Sequence, residues 1–144
     1  MSQTPNIGSL AGKWTYRSFI NDPNLATDFN NLEFGRATIT INEAPMGTLQ
    51  GSIGDTGWSL DLNGSINYGD PYSVRFQGKG VVGGEQWIYD YIGYVVKPWP
   101  NGVGQIPAMT GSIVRTIPHS GGSAGSVAPA GMVCSWIAVW QGPL

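Results

Sequence analysis

The chain has 144 residues, a formal net charge of −2 and 11% charged side chains, against about 25% in an ordinary soluble domain. It carries 22 glycines and 11% aromatics, and Ile plus Val outnumber Leu about three to one. It is thus too poor in strong helix formers for a bundle, too apolar for a disordered segment, and too weakly basic to hold nucleic acid through phosphates.

The predicted elements follow from alternation broken by turn residues. The first strand is expected over residues 12–19, with Trp14, Tyr16 and Ser18 on one face and Thr15 and Arg17 on the other. A polar loop containing Asn21, Asp22, Pro23 and Asn24 leads to a second strand at about 32–41, whose Ala37, Ile39 and Ile41 share a face. A third, at about 48–53, ends in a Gly-Asp-Thr-Gly turn. The fourth has the clearest pattern: Trp58, Leu60, Leu62, Gly64 and Ile66 alternate with Ser59, Asp61, Asn63, Ser65 and Asn67, one dry face and one wet. The fifth repeats the device, with Val74, Phe76, Gly78 and Gly80 against Ser73, Arg75, Gln77 and Lys79. The sixth, about 86–96, is apolar on both faces, with Trp87, Tyr89, Tyr91 and Val95 on one side and only Asp90 interrupting the other. The seventh is expected at about 110–117 and the eighth, again apolar on both faces, at about 132–140. Between them, residues 118–131 are rich in Gly, Ser and Ala, with no apolar side chain larger than Val127. That stretch is expected to be the most mobile internal segment and to serve as a lid over the open end.

Eight strands joined mostly by short connections predict an all-β, eight-stranded antiparallel up-and-down barrel, with a two-sheet β-sandwich as the alternative. Closure removes the edges that an open sheet would expose. Gly35, Gly64, Gly78, Gly80 and Gly93 inside strands suit the bending that closure demands. One barrel domain is expected over residues 10–141, with short tails at 1–9 and 142–144. The faces Trp14/Tyr16/Ser18 and Trp58/Leu60/Leu62 are expected to point inward.

The run Leu10-Ala11-Gly12-Lys13-Trp14 resembles the Gly-x-Trp opening of calycin barrels, and among these it is most similar to the avidin/streptavidin-like family. Residues 37–41 and 46–51 look like that family's first hairpin. The resemblance implies a small-ligand barrel that packs its later strands against partner barrels. It does not imply biotin, because the first strand carries Tyr16, Arg17 and Ser18 where that family places an Asn and a Ser on the ligand.

The residues define few chemistries. One His, one Cys and dispersed carboxylates make no metal set, and no cofactor motif is present, so neither metal nor cofactor is expected. No catalytic residue is assigned. His119 reads as an exposed loop histidine, Cys134 as a buried structural thiol, and Asp90 as an outward-facing carboxylate that leaves Trp87, Tyr89 and Tyr91 inward. Six Trp and six Tyr exceed the needs of a small core, and each brings a polar handle as well as area. The candidate ligand-binding residues are therefore Trp14, Tyr16, Trp58, Trp87, Tyr89 and Tyr91, lining one end of the barrel.

The expected function is to hold a small apolar or amphipathic molecule there. An isomerase- or cyclase-like barrel enzyme and a filled structural module are the competing readings. Neither nucleic acid nor membrane is expected as a partner. The N-terminal residues carry no basic and apolar signal pattern, so a cytoplasmic location is expected. Because strands six and eight are apolar on both faces, whichever way they turn leaves an exposed patch, and homo-oligomerisation through strands six to eight is expected.

Overall fold

The alternation becomes strands Gly12–Ile20 (β1), Glu33–Ile41 (β2), Thr48–Asp55 (β3), Trp58–Asn67 (β4), Ser73–Val82 (β5), Glu85–Val95 (β6), Ala108–Arg115 (β7), His119–Ser120 (β8), Val127–Ala128 (β9) and Val133–Gly142 (β10). The computed structural model describes residues 10–121 and 125–144; the expected tail at 1–9 lies outside them. Among the described residues, eight strands close into one barrel, each pairing antiparallel with the next, and β10 returning to β1. The fold is an all-β, closed, eight-stranded up-and-down antiparallel barrel, consistent with a calycin-like architecture, and the sandwich is set aside. The single helical segment among the described residues is a 3-10 turn, Phe29–Leu32. No helix among them is long and apolar enough to cross a membrane.

The strand bounds depart from expectation mainly around β7. It starts two residues earlier, where Ala108 pairs with Val139. It ends at Arg115 because the Thr116 amide and hydroxyl both turn to the Ile88 carbonyl, at 3.0 and 2.9 Å. The 118–131 segment is not wholly irregular either. Its described flanks form the β8–β9 hairpin, in which His119 pairs with Ala128 and Ser120 with Val127. Residues 122–124, at the centre of the expected lid, lie outside the described residues. The final strand continues to Gly142, one residue beyond the expected domain limit.

Inward faces are as the alternation requires. Trp14, Tyr16, Ser18, Leu60 and Leu62 are buried and Trp58 half-buried, while Arg17, Ser59, Asp61 and Asn63 are exposed. At Gly93 the missing side chain is a packing necessity. A Cβ there would lie 2.6 Å from the Trp136 ring and 2.6 Å from the Thr110 carbonyl oxygen. The indole thus takes the space that a side chain on β6 would fill.

The two ends of the barrel differ. At one end Leu10 is buried together with Trp14. Leu10 takes a left-handed backbone conformation, with φ of 56°, unusual for a residue with a branched side chain. In that conformation it closes the end, and its carbonyl accepts the Trp14 indole N–H at 3.1 Å. At the opposite end Trp58 and Trp87 are only half-buried.

Candidate functional site: an aromatic cavity at the Trp58 end

Residues of β1 to β4, β6 and β7 surround a cavity of about 110 Å3 at this end. Tyr16 and Ser18 come from β1, Phe34 from β2, Ile53 from β3, Trp58 and Leu60 from β4, Trp87, Tyr89 and Tyr91 from β6, and Ile113 from β7. All but Phe34 reach it because side chains two apart on a strand share a face; Phe34 falls at the register shift of β2, where Ser18 pairs with Gly35 and Phe19 with Glu33. Of the six residues singled out in the sequence, Tyr16, Trp58, Trp87, Tyr89 and Tyr91 line this one cavity. Trp14 lies at the plugged end, its indole N–H committed to Leu10. Behind the cavity wall Trp136 packs on Tyr16, Phe76 and Tyr91 with centroid distances of 6.1, 6.0 and 6.4 Å. It also donates its indole N–H to the Ser112 carbonyl at 3.0 Å.

The expectation of an exposed His119 is overturned. Its residue surface is 8% exposed, because β8 lays its ring flat on Trp87, with centroids 3.8 Å apart and planes 7° from parallel. The Tyr89 hydroxyl lies 2.9 Å from His119 Nε2, and Arg115 Nε donates to the same hydroxyl oxygen at 3.0 Å. His119 Nδ1 sits 2.9 Å from the Ser120 carbonyl, which can only accept. The neutral ring therefore carries its proton on Nδ1 and accepts from Tyr89 at Nε2. Arg115, also inward and buried, places its guanidinium carbon 5.4 Å from the Phe34 centroid and 5.6 Å from that of Tyr89. It donates in addition to the Pro129 carbonyl at 3.2 Å. Sequence reading missed this trio because its members are 26 and 30 residues apart. The recoverable signal was a Tyr on an inward aromatic face, which needs a polar partner when buried.

Other polar groups are unpartnered. The Tyr16 hydroxyl and the Trp87 indole nitrogen are buried and form no hydrogen bond among the described residues. Burial pushes the Tyr16 phenol above its ordinary value, opposed in part by the nearby Ser18 hydroxyl, with Cys134 and Tyr89 also raising it. Burial likewise raises Tyr91, reinforced by Tyr16 and Tyr89. Both phenols stay protonated in the folded barrel at a pH where an unfolded chain releases them. Stability is therefore complete below about pH 10 and falls above it, by up to about 1.4 kcal/mol per pH unit for each phenol. In an alkaline titration, the last tyrosinate absorbance is expected to appear together with loss of near-ultraviolet circular dichroism. All six phenols titrating near pH 10 in an intact barrel would contradict this burial.

Cys134 is buried, and desolvation raises its thiol while Arg115 opposes the shift. Asp90 faces outward, accepting from Gln77 Nε2 at 3.0 Å, as expected. Among the described residues no three His, Cys, Asp or Glu side chains come together as a metal set. No protein-family model, curated protein or solved structure matches the chain.

Proposed function

We propose that this barrel is a binding protein that holds a small apolar or amphipathic molecule in the cavity at the Trp58 end. The supporting observation is the contrast between its two ends: at one, Leu10 is buried and accepts the Trp14 indole N–H, while the other keeps an aromatic-walled space. Mostly apolar concavities with a few polar groups are what small-ligand sites are built from. The Gly-x-Trp opening, similar to that of avidin-like and other calycin barrels, supports the same reading.

The enzyme reading draws on Tyr89, Arg115 and His119. In that trio the tyrosine proton is committed to His119 and its oxygen accepts from Arg115. The network thus fits a brace that fixes the mouth better than it fits a free acid or base. The test is saturable perturbation of cavity-lining resonances by ethylbenzene, lost in Leu60→Phe, which narrows the cavity. Absence of saturable shifts in the wild-type protein would defeat the reading. Diffraction from crystals of protein isolated from its own host would identify a resident molecule.

We further propose self-association through the outer face of β6, β7 and β10. Here Tyr94, Thr110 and Ile137 form one cross-strand row, Ile92, Ser112 and Ser135 a second, and Asp90, Val114 and Val133 a third. Ile92 is 50% and Tyr94 48% exposed, and Asp90 is the one charge in the nine. The outer face of β4 and β5 carries Asp61, Arg75 and Lys79 instead. A two-fold copy would cover the uncharged rows, and a specific interface needs about 800 Å2 from each partner. Light scattering at micromolar concentration is expected to give at least twice the chain mass, reduced to the monomer by Ile92→Lys with Ile137→Lys. A wild-type monomer would refute the association.

A further inference from the structure

We propose that the cavity selects an uncharged single-ring molecule bearing a hydrogen-bond-accepting oxygen, an aryl ketone or aldehyde in chemical class, which receives the Tyr16 hydroxyl proton. This rests on the binding reading above and specifies the ligand for it.

Size comes first. The space of about 110 Å3 is of the order of an engineered apolar cavity of about 150 Å3 that takes one benzene. Its walls are mostly aromatic rings and aliphatic side chains, with Ser18 and Arg36 the polar exceptions beside the tyrosine hydroxyls, and the volume suits one ring rather than a fatty chain.

Charge is decided by the neighbours. No carboxylate lines the cavity, so a cationic ligand would find no counter-ion. Two of its aromatic rings already have a cation, since Arg115 lies over Phe34 and Tyr89. An anion fares no better. The arginine in the wall, Arg36, has its guanidinium on the Glu33 carboxylate. Arg115 is not part of the lining and is tied to Tyr89 and Pro129. Burying an unpaired ion is costly, so the site favours a neutral molecule.

Polarity then sets the functional group. Trp87 Nε1 can only donate, and it is buried without a partner. The Tyr16 hydroxyl is also without one, on a side chain that lines the cavity. Two other hydroxyls at the wall are engaged: Ser18 donates to the Gly35 carbonyl at 3.4 Å, and Tyr89 is bonded on both sides. Trp87 offers only a donor and the Tyr16 hydroxyl a donor besides its acceptor lone pairs, so a donor is what the two have in common. A ligand that brings an acceptor oxygen satisfies it, and a hydrocarbon leaves it unmet.

The test uses the full chain and a matched series, acetophenone, ethylbenzene, benzoate and benzylammonium, followed by NMR titration. Acetophenone is expected to bind about tenfold more tightly than ethylbenzene, the effect of one hydrogen bond, and the two ions at least tenfold more weakly than acetophenone. In Tyr16→Phe the ratio of ketone to hydrocarbon affinity is expected to fall to about one, whatever the change in hydrocarbon affinity itself. The melting temperature of that variant is expected not to fall, because the lost hydroxyl had no partner to strand. Equal binding of ketone and hydrocarbon, tighter binding of either ion, or a preference that survives Tyr16→Phe would overturn the proposal and leave the binding reading standing. Failure of every probe to bind would overturn both.

Discussion

Tyr89→Phe is expected to lower the unfolding free energy by about 2–3 kcal/mol, although it removes a single oxygen. That oxygen is the shared partner of Arg115 Nε and His119 Nε2. Its loss leaves a buried guanidinium N–H and a buried imidazole nitrogen without it, and hydrogen bonds to charged groups stand at the strong end of the scale. The same substitution at Tyr16 strands nothing, because its hydroxyl is unpartnered, so its expected effect is neutral or stabilising. At about 3 °C per kcal/mol for a domain of this size, thermal melts should place the two variants on opposite sides of the parent or nearly so. Equal losses in both would show that the Tyr89 network contributes no more than an ordinary buried hydroxyl. The Tyr89 variant should also loosen His119 from Trp87, read as faster hydrogen exchange at the Ser120 amide, which now reaches the Glu85 carboxylate at 3.2 Å.

The contrast between these two tyrosines marks where sequence reading stops. Alternation assigns a side chain to a face, and it did so for β4, whose wet and dry residues differ in every pair and whose bounds at Trp58 and Asn67 were read directly. It also oriented β6, because Asp90 could stand only outside at low cost. Alternation says nothing about depth along the barrel axis. Trp14 and Tyr16 share a face two residues apart, yet one is sealed under Leu10 and the other walls the cavity. Nor does alternation reach His119. Its neighbours Pro118, Ser120 and Gly121 carry no periodic pattern, and its strand is two residues long. Its burial comes from Trp87 and Tyr89 on β6, a contact between elements distant in sequence. The fold was legible because each strand is a local statement repeated eight times. The trio at the mouth was not, because it exists only after closure brings β6, β7 and the β8–β9 hairpin together.

Trp136→Ala is expected to be the more damaging change, at about 3–5 kcal/mol, a large part of the roughly 5–15 kcal/mol that stabilises a domain of this kind. Trp136 is fully buried at the centre of the aromatic layer, edge-on to Phe76 and Tyr91 and tilted against Tyr16. Gly93 is a glycine where this ring lies, so no neighbouring side chain on β6 stands ready to refill the space. The layer cannot collapse easily, because strand closure fixes the distance across the barrel, and a void in a close-packed interior loses its contacts outright. Removal of the ring also strips the support from Tyr16 and Tyr91, which form part of the cavity wall. The variant should therefore gain room as it loses stability, and naphthalene, too large for the parent cavity, is expected to bind it and raise its melting temperature. Urea denaturation measures the first effect and thermal shift with naphthalene the second. A loss under about 1 kcal/mol, well below the range for large-to-small core changes, would mean that the aromatic layer relaxes around the gap, and naphthalene would then show no preference for the variant.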